Sequence, residues 1–263
     1  MRLMTYNIEH GGSDRGSTKR LHLIASVIAR AQPDLLVLEE CNYFDEDEGR
    51  PLRALAEELG MRGELATVDS GYHLALLLRR DGVLRELRVF RSGFHHGALV
   101  AEVTVEGLDL TLIGTHLNPF APEARVIEAR RLAALGNGGP TALLGDLNSL
   151  SSRDRPRYEP STWAPRYRAR HLAPGDDERI DTDAIDVLEQ AGFHDLFHQA
   201  NPGTFAPTRP TERNSDRPSQ RLDYILATEP LADRLRSASV VREGDAPRAS
   251  DHLPVVADLN EGP

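Results

Sequence analysis

Short apolar runs alternate with amphipathic stretches along the whole chain, and this alternation limits the possible folds more than any other feature. Residues 35–38 and 141–144 are short runs made mostly of Leu, Val and Ala, which is typical of buried strands. Between such runs, apolar side chains recur at helical spacing, as Leu21, Ile24 and Ile28 do. With 263 residues, 40% of them apolar, the chain can bury a large core. The pattern therefore predicts a single α/β domain over residues 1–263.

The same periodicities predict where the individual elements lie. The predicted strands cover residues 2–6, 35–38, 75–78, 83–90, 99–105, 108–114, 141–144, 222–227 and 254–259. The predicted helices cover residues 51–59, 122–135 and 184–191, and another begins near Ser17 and ends before Pro33. Residues 149–183 and 201–220 are rich in Pro, Arg and Asp, and we interpret them as long loops, the first of them an insertion. Long loops in compact domains are frequently functional.

Charge and cysteine content exclude several classes of protein. Acidic residues outnumber basic ones by 41 to 31, and the net charge of −10 disfavours a tight, non-catalytic DNA-binding module. Cys41 is the only cysteine, so the sequence excludes an intrachain disulfide and a cysteine-based metal site. The sequence shows no secretory signal pattern and no apolar run long enough to cross a bilayer, so we expect a cytoplasmic protein without a membrane partner.

Polar residues able to bind a metal or move a proton stand at the ends of the predicted strands. These residues are Asn7, Glu40, His116, Asp146 with Asn148, Asp223, and Asp251 with His252. The first four positions follow their strands, whereas Asp223 and His252 precede theirs. If the last two strands run antiparallel to the earlier ones, all of these side chains gather at one edge of the sheets. Catalytic groups commonly lie on loops that such a rigid scaffold holds.

The residue types fit the hydrolysis of a phosphate ester. A hard divalent cation such as Mg²⁺ needs only one or two carboxylates, because it keeps several waters. The cation polarises a phosphoryl oxygen and stabilises charge on the leaving oxygen. A further carboxylate can take the proton of the attacking water, and a histidine can contact the phosphate.

Taken together, these segments resemble the signature of the endonuclease/exonuclease/phosphatase superfamily, which includes deoxyribonuclease I. The resemblance runs from Asn7 to His252 in the family's order. It implies a four-layer αββα sandwich with two packed mixed β-sheets, and Mg²⁺ or Mn²⁺ as the cofactor. Any one segment is weak as a signal, since Asn7 could be a turn residue and His116 a core histidine. Their combination in order carries the resemblance.

The resemblance also implies roles for the acidic and amide residues. Glu40 would be the principal metal ligand, with Asn7 beside it and Asp251 near the metal. Asp146 would orient and activate the attacking water, and Asn148 would help to hold the phosphate.

The histidines have implied roles of their own. Asp223 would orient His252, which would contact the phosphate, and His116 would contact phosphate or act as a general acid. One departure from the family is that Glu39 stands where Gln is frequent. Strand alternation lets only one of the two glutamates face the metal, and we expect that residue to be Glu40.

The arginine-rich segment after Asn148 leaves two interpretations open. Arg166, Arg168 and Trp163 are candidate substrate-binding residues, because arginine binds phosphate and tryptophan stacks on bases. The alternative is a solvated insertion that pairs with the acidic residues 176–183.

The sequence thus predicts a metal-dependent hydrolase of a phosphate ester, with no obligate protein partner. The first choice of substrate is a phosphodiester, as in a nuclease or phosphodiesterase acting on nucleic acid. A small-molecule phosphomonoesterase acting on a nucleotide or polyol phosphate is the alternative, and the negative net charge keeps it open. An inactive binding protein with the same fold is a third possibility, which the complete set of acids and histidines disfavours.

Overall fold

Two mixed β-sheets form the framework of the protein, whose computed structural model describes residues 1–136, 138–176 and 178–260. The predicted end of the domain, at residue 263, lies outside these ranges. In spatial order the first sheet contains β11 (Leu235–Val240), β12 (Val255–Leu259), β1 (Arg2–Asn7), β2 (Leu35–Glu39), β4 (Leu74–Arg79) and β3 (Met61–Ala66). The second contains β5 (Val83–Phe90), β6 (Ala98–Val105), β7 (Leu108–His116), β8 (Thr141–Asp146), β10 (Asp223–Thr228) and β9 (Phe193–Asp195).

Helices flank and connect the strands of both sheets. They are α1 (Lys19–Ala31), α2 (Arg50–Glu58), α3 (Pro122–Leu135), α4 (Pro165–His171), α5 (Asp183–Gln190), α6 (Leu196–Ala200), α7 (Glu229–Ala232) and α8 (Ala246–Ala249). Short 3₁₀ helices occupy His10–Gly12, Glu46–Gly49, Ser152–Arg157 and Pro160–Thr162. None of the helices in the described residues is long and apolar enough to cross a membrane.

Alternation along the strands produces the layers. In β1 and β2, Leu3, Leu35 and Val37 point between the sheets, where they pack against second-sheet residues such as Leu112. The intervening residues of both strands face α1 and α2 on the outside, and α3 and α5 cover the second sheet in the same way. The predicted four-layer αββα sandwich is therefore confirmed.

Each sheet has a parallel pair of strands near its centre, and this arrangement positions the candidate site. β1 pairs in parallel with β2, and β7 with β8. β12 is antiparallel to β1, and β10 is antiparallel to β8. The strands β10 and β12 therefore begin at the edge where β1, β2, β7 and β8 end, as the sequence predicted.

The segment of residues 149–183 is more ordered than the predicted loop. It contains α4 and two 3₁₀ helices, and it encloses a small apolar cluster of its own. Arg221 connects this segment to the second sheet, because its buried guanidinium lies 2.8 Å from Asp154 and 2.7 Å from Asp195. The prediction of a loop for all of this segment was wrong.

Gly145 occupies the tightest position next to the candidate site. A Cβ atom added there would lie 1.9 Å from the carbonyl oxygen of Thr115 on the neighbouring strand β7. Only glycine fits, because overlap with backbone atoms cannot be relieved by rotating a side chain.

We therefore expect Gly145→Ala to lower the free energy of unfolding by at least about 2 kcal/mol, as measured by urea denaturation. Gly136→Ala is the matched control, because a Cβ there meets its nearest neighbour, Phe193, at an ordinary 3.4 Å. The control should remain within about 0.5 kcal/mol of wild type. Equal stability of the two variants would contradict the proposed crowding at Gly145.

Candidate active site

The strand ends enclose a cleft of about 340 Å³ at one edge of the sandwich. The lining residues include predicted site residues and others, namely Glu9, His10, Glu40, Tyr72, His95, His96, His116, Phe120, Asp146, Asn148, Arg170, Arg209, Arg217, Asp251 and His252. Asn7 and Asp223 lie buried directly behind this lining and hydrogen bond to it. The structure thus brings together all of the residues that the sequence placed at strand ends.

Asn7 joins the two sheets at the base of the cleft. Its side-chain amide lies 3.1 Å from Asp146 Oδ2 in the second sheet and 3.2 Å from Glu40 Oε1, which follows β2 in the first. Asn7 Oδ1 in turn accepts a hydrogen bond of 3.0 Å from the amide of Glu9. Asn7 therefore fixes the separation of two carboxylates that come from different sheets.

Glu39 and Glu40 point in different directions. Glu39 ends β2 on the face between the sheets, where it is buried and accepts a hydrogen bond of 2.6 Å from Thr5. Burial raises the pKa of Glu39 well above its usual value. Glu40 has left the strand with a φ of 58°, and it lines the cleft. Of the two, Glu40 is the one available to a cation in the cleft.

A short hydrogen bond links Asp223 to His252. His252 Nδ1 lies 2.8 Å from Asp223 Oδ2 and 3.7 Å from Asp146 Oδ2. Burial alone would lower the pKa of His252, but the carboxylates of Asp223, Asp146 and Asp251 outweigh it and raise the pKa to about 10. The imidazole is therefore held in a fixed orientation and carries a positive charge.

Asp146 is held from several sides. Its Oδ1 accepts a hydrogen bond of 2.9 Å from the amide of Asn148, and its Oδ2 lies 3.5 Å from His116 Nε2. Asn148 adopts a φ of 47°, and its side chain donates to the carbonyl of Leu117 at 3.1 Å. Burial raises the pKa of Asp146 to about 7, and the charge of His252 opposes this shift. A carboxylate with such a pKa suits a general base near neutral pH.

The oxygen donors in the cleft fit a hard divalent cation. Burial raises the pKa of Glu40, and the nearby charge of Asp251 raises it further. Two neighbouring carboxylates of this kind favour a cation between them. A second group could also hold a metal ion, because Asp146, Asp223 and His252 offer ligand atoms within 4.8 Å of one another.

His95 and His96, which lie beside the candidate site residue His116, were not recognised from the sequence. His96 packs on His116 with ring centroids 4.5 Å apart, and also on Tyr72 at 4.6 Å and His95 at 4.4 Å. The pairing of two strands explains why His95 and His96 lie next to His116, because β6 is antiparallel to β7 and Ala98 pairs with Thr115. Residues directly before β6 must therefore lie beside the end of β7, where His116 stands.

The arginine-rich segment contributes Arg170 to the cleft, whereas Arg166, Arg168 and Trp163 do not line it. Trp163 is only 8% exposed and packs against Tyr158 in the segment's apolar cluster, so its ring does not face the cleft. Arg166 is exposed beside Asp216, and Arg168 lines a separate surface groove. Arg170 does line the cleft. Its backbone is fixed by Arg125, which donates a hydrogen bond of 2.5 Å to the Arg170 carbonyl.

Comparisons with known proteins agree with this geometry. Residues 4–252 match the Endonuclease/Exonuclease/phosphatase family, whereas no curated protein matches the chain. Among solved structures, the 3′ phosphatase NExo from Neisseria, bound to product DNA hairpin, is similar with a TM-score of 0.74 and 21% identity over 99% of each chain. An AP endonuclease from Archaeoglobus fulgidus gives a TM-score of 0.72 and 19% identity, again over 99% of each chain.

A third structure extends the comparison to an animal protein. Truncated TDP2 from Caenorhabditis elegans gives a TM-score of 0.66 and 18% identity, over 97% of this chain and 95% of the other. At these identities the structural likeness shows a shared fold, and the family match covers nearly the whole chain. The chain therefore belongs to the endonuclease/exonuclease/phosphatase family.

Proposed function

We propose that the protein uses a divalent cation to hydrolyse a phosphate ester, and that its substrate is a phosphodiester. The observation that carries this proposal is the convergence of Asp146, His252 and Asp223 beside the carboxylates of Glu40 and Asp251. A candidate base (Asp146), a positively charged histidine (His252) and an oxygen-rich metal site thus lie in one cleft. An inactive binding protein would have no need for this set of interacting groups.

Glu40 is the proposed principal ligand of Mg²⁺ or Mn²⁺, with Asn7 beside it and Asp251 near the ion. When bound, the cation would polarise the phosphoryl oxygen and stabilise the charge on the leaving oxygen. The alternative group around His252 is less suitable, because its Nδ1 already bonds to Asp223 and a protonated imidazole offers no lone pair. Hard cations also prefer oxygen to nitrogen.

Asp146 is the proposed base that orients and deprotonates the attacking water. Asn7 donates to its Oδ2 and the amide of Asn148 donates to its Oδ1, so that both oxygens of the carboxylate keep a fixed orientation. Asn148 also lines the cleft and can donate to a phosphate oxygen. Water activation in this scheme depends on geometry that these hydrogen bonds already fix.

The two histidines have different proposed roles. His252, held by Asp223, supplies a positive charge to the phosphate as negative charge develops. Burial holds the pKa of His116 well below its usual value, so its ring is neutral at pH 7. A neutral ring that donates one hydrogen bond can contact the phosphate or the leaving oxygen without adding charge.

The shape of the surface favours a diester over a small monoester. Beyond His10 the cleft adjoins a groove of about 650 Å³ that Tyr43 and Phe44 help to line. On its other side the cleft opens at Phe120, which is exposed. Substrate groups therefore have room on both sides of the phosphorus atom. Two similar structures also bear names that refer to DNA or its abasic sites, and this supports a nucleic-acid substrate.

Removal of divalent cations should abolish hydrolysis, and Mg²⁺ or Mn²⁺ should restore it. Glu40→Gln should weaken Mn²⁺ binding, measured by calorimetry, by about 10-fold or more, because it removes the charged ligand. Glu48→Gln is the control, since Glu48 is exposed and does not line the cleft. Full activity after exhaustive chelation would exclude the proposed role of the metal.

Asp146→Asn should slow turnover on the order of 100-fold or more, because it keeps the shape of the side chain and removes the base. Asp223→Asn should have a smaller effect, since it alters only the orientation and charge of His252. Single-turnover rates with saturating enzyme measure both effects separately from substrate binding. A rate near wild type for Asp146→Asn would show that another group activates the water.

Bis(p-nitrophenyl) phosphate should be hydrolysed with a higher kcat/KM than p-nitrophenyl phosphate, because the diester occupies both sides of the phosphorus. A parallel panel of single- and double-stranded DNA, RNA, abasic DNA, nucleotides and inositol phosphates would identify the natural class. If both parts of the experiment show a clear preference for monoesters, the proposed phosphodiester substrate is wrong and the small-molecule phosphomonoesterase is favoured.

A further inference from the structure

Arg209 is a buried arginine whose guanidinium makes no hydrogen bond to any of the described residues. It is 5% exposed, and its Nε and Nη2 atoms are fully buried without a partner. Only its backbone is bonded, through exchange of hydrogen bonds with Gln220. A buried guanidinium normally forms several charge-assisted hydrogen bonds, because leaving its donors unpaired is costly.

The guanidinium lies in the wall of the active-site cleft. Arg209 lines the cleft together with Asp146, Asp251 and His252. Its charge acts to lower the pKa of both Asp251 and Asp146, although burial dominates at Asp146. Yet neither carboxylate accepts a hydrogen bond from Arg209. Asp251 instead accepts one of 3.2 Å from Arg217. The positive group is therefore close to the reacting centre without being neutralised by it.

Two further arginines extend this positive surface toward solvent. Arg217 and Arg170 line the same cleft as Arg209, and the charge of Arg217 lowers the pKa of both Arg209 and Arg170. The guanidinium of Arg170 lies 5.2 Å above the ring of Phe120, at the cleft opening. We name Arg170, Arg209 and Arg217 the arginine wall. Cations placed so close together favour a bound anion.

We propose that the arginine wall binds a second phosphate group of the substrate, next to the phosphate that is hydrolysed, and that Arg209 is its principal contact. This inference rests on the proposed function and specifies the substrate class more closely. Guanidinium groups suit this task because they present paired donors to two phosphate oxygens. The substrate would be either a nucleotide chain with neighbouring phosphates or a small molecule that carries two phosphates.

The reacting phosphate is assigned to His116 and His252 and not to Arg209, because these groups have different neighbours. His116 stacks on His96 with ring centroids 4.5 Å apart, and its Nε2 lies 3.5 Å from Asp146 Oδ2. Arg209 instead lies among Arg217, Asp251, Asp146 and Tyr167. Arg209 and His116 thus have different neighbours in the cleft, and Asp146 is near both.

Binding to the metal-free protein in EDTA tests the inference without any hydrolysis. Calorimetry would compare thymidine 3′,5′-bisphosphate with thymidine 5′-monophosphate, and glucose 1,6-bisphosphate with glucose 6-phosphate, at equal ionic strength. Wild type should bind the bisphosphate of at least one pair about 10-fold or more tightly than its monophosphate. The pair that shows this difference identifies the source of the second phosphate.

Arg209→Gln should abolish that difference, Arg209→Lys should retain part of it, and Arg157→Gln should leave it unchanged. Arg157 is the matched control, because it is an exposed arginine outside the cleft whose loss changes the net charge equally. Should Arg209→Gln fail to fold, Arg170→Gln provides a second test, since it should reduce the same difference. No preference for either bisphosphate, or a preference that persists in Arg209→Gln, would overturn the inference.

A kinetic comparison separates this inference from the proposed function. The p-nitrophenyl ester of thymidine 5′-phosphate can be supplied with or without a 3′-phosphate. Arg209→Gln should raise KM about 10-fold or more for the 3′-phosphorylated ester only. An equal rise in KM for both esters would overturn the role of Arg209 in binding a second phosphate. If wild type hydrolyses neither ester, the proposed function fails, while the binding experiment still decides on the arginine wall.

Discussion

The burial of several acidic side chains at one end of the inter-sheet core is the constraint on which the rest of the site depends. Glu39, Asp146 and Asp223 lie within the sandwich, and Asp251 lies at its edge. Burial of neighbouring carboxylates is unfavourable, and the raised pKa values of Glu39 and Asp146 reflect it. The protonated His252 offsets part of this repulsion. Clusters of acidic side chains that are unfavourable to bury in this way are typical of functional sites.

The part of the site that lies on strands could be predicted from the sequence, because strand direction determines which residues meet. Asn7, His116 and Asp146 end parallel strands, and Asp223 begins an antiparallel one. Arg209 could not be predicted in this way. It lies in the segment of residues 201–220, which has no helix or strand of its own, so its position depends on contacts distant in sequence.

The missed strands have a common physical cause. β3 and β11 form the two edges of the first sheet, and β9 forms one edge of the second. An edge strand is covered on fewer sides, so its sequence needs fewer apolar residues, and β11 (Leu235–Val240) is largely exposed. The helix α4 was missed for a different reason, because Pro165 and a run of arginines obscured its periodicity. Its buried Tyr167 packs in the cluster of residues that encloses Trp163.

The pairing of β1 with β12 places the first and last strands side by side in the first sheet. Ser250 donates a hydrogen bond of 2.6 Å to the carbonyl of Asn7, across 243 positions of the sequence. During synthesis β1 is made long before β12, so its antiparallel neighbour does not exist until the residues between the two strands have been added. Until then one side of β1 has no partner, and His252 is missing from the cleft. A chain whose synthesis stops before β12 therefore lacks His252 in the cleft, and the unpaired edge of β1 favours aggregation.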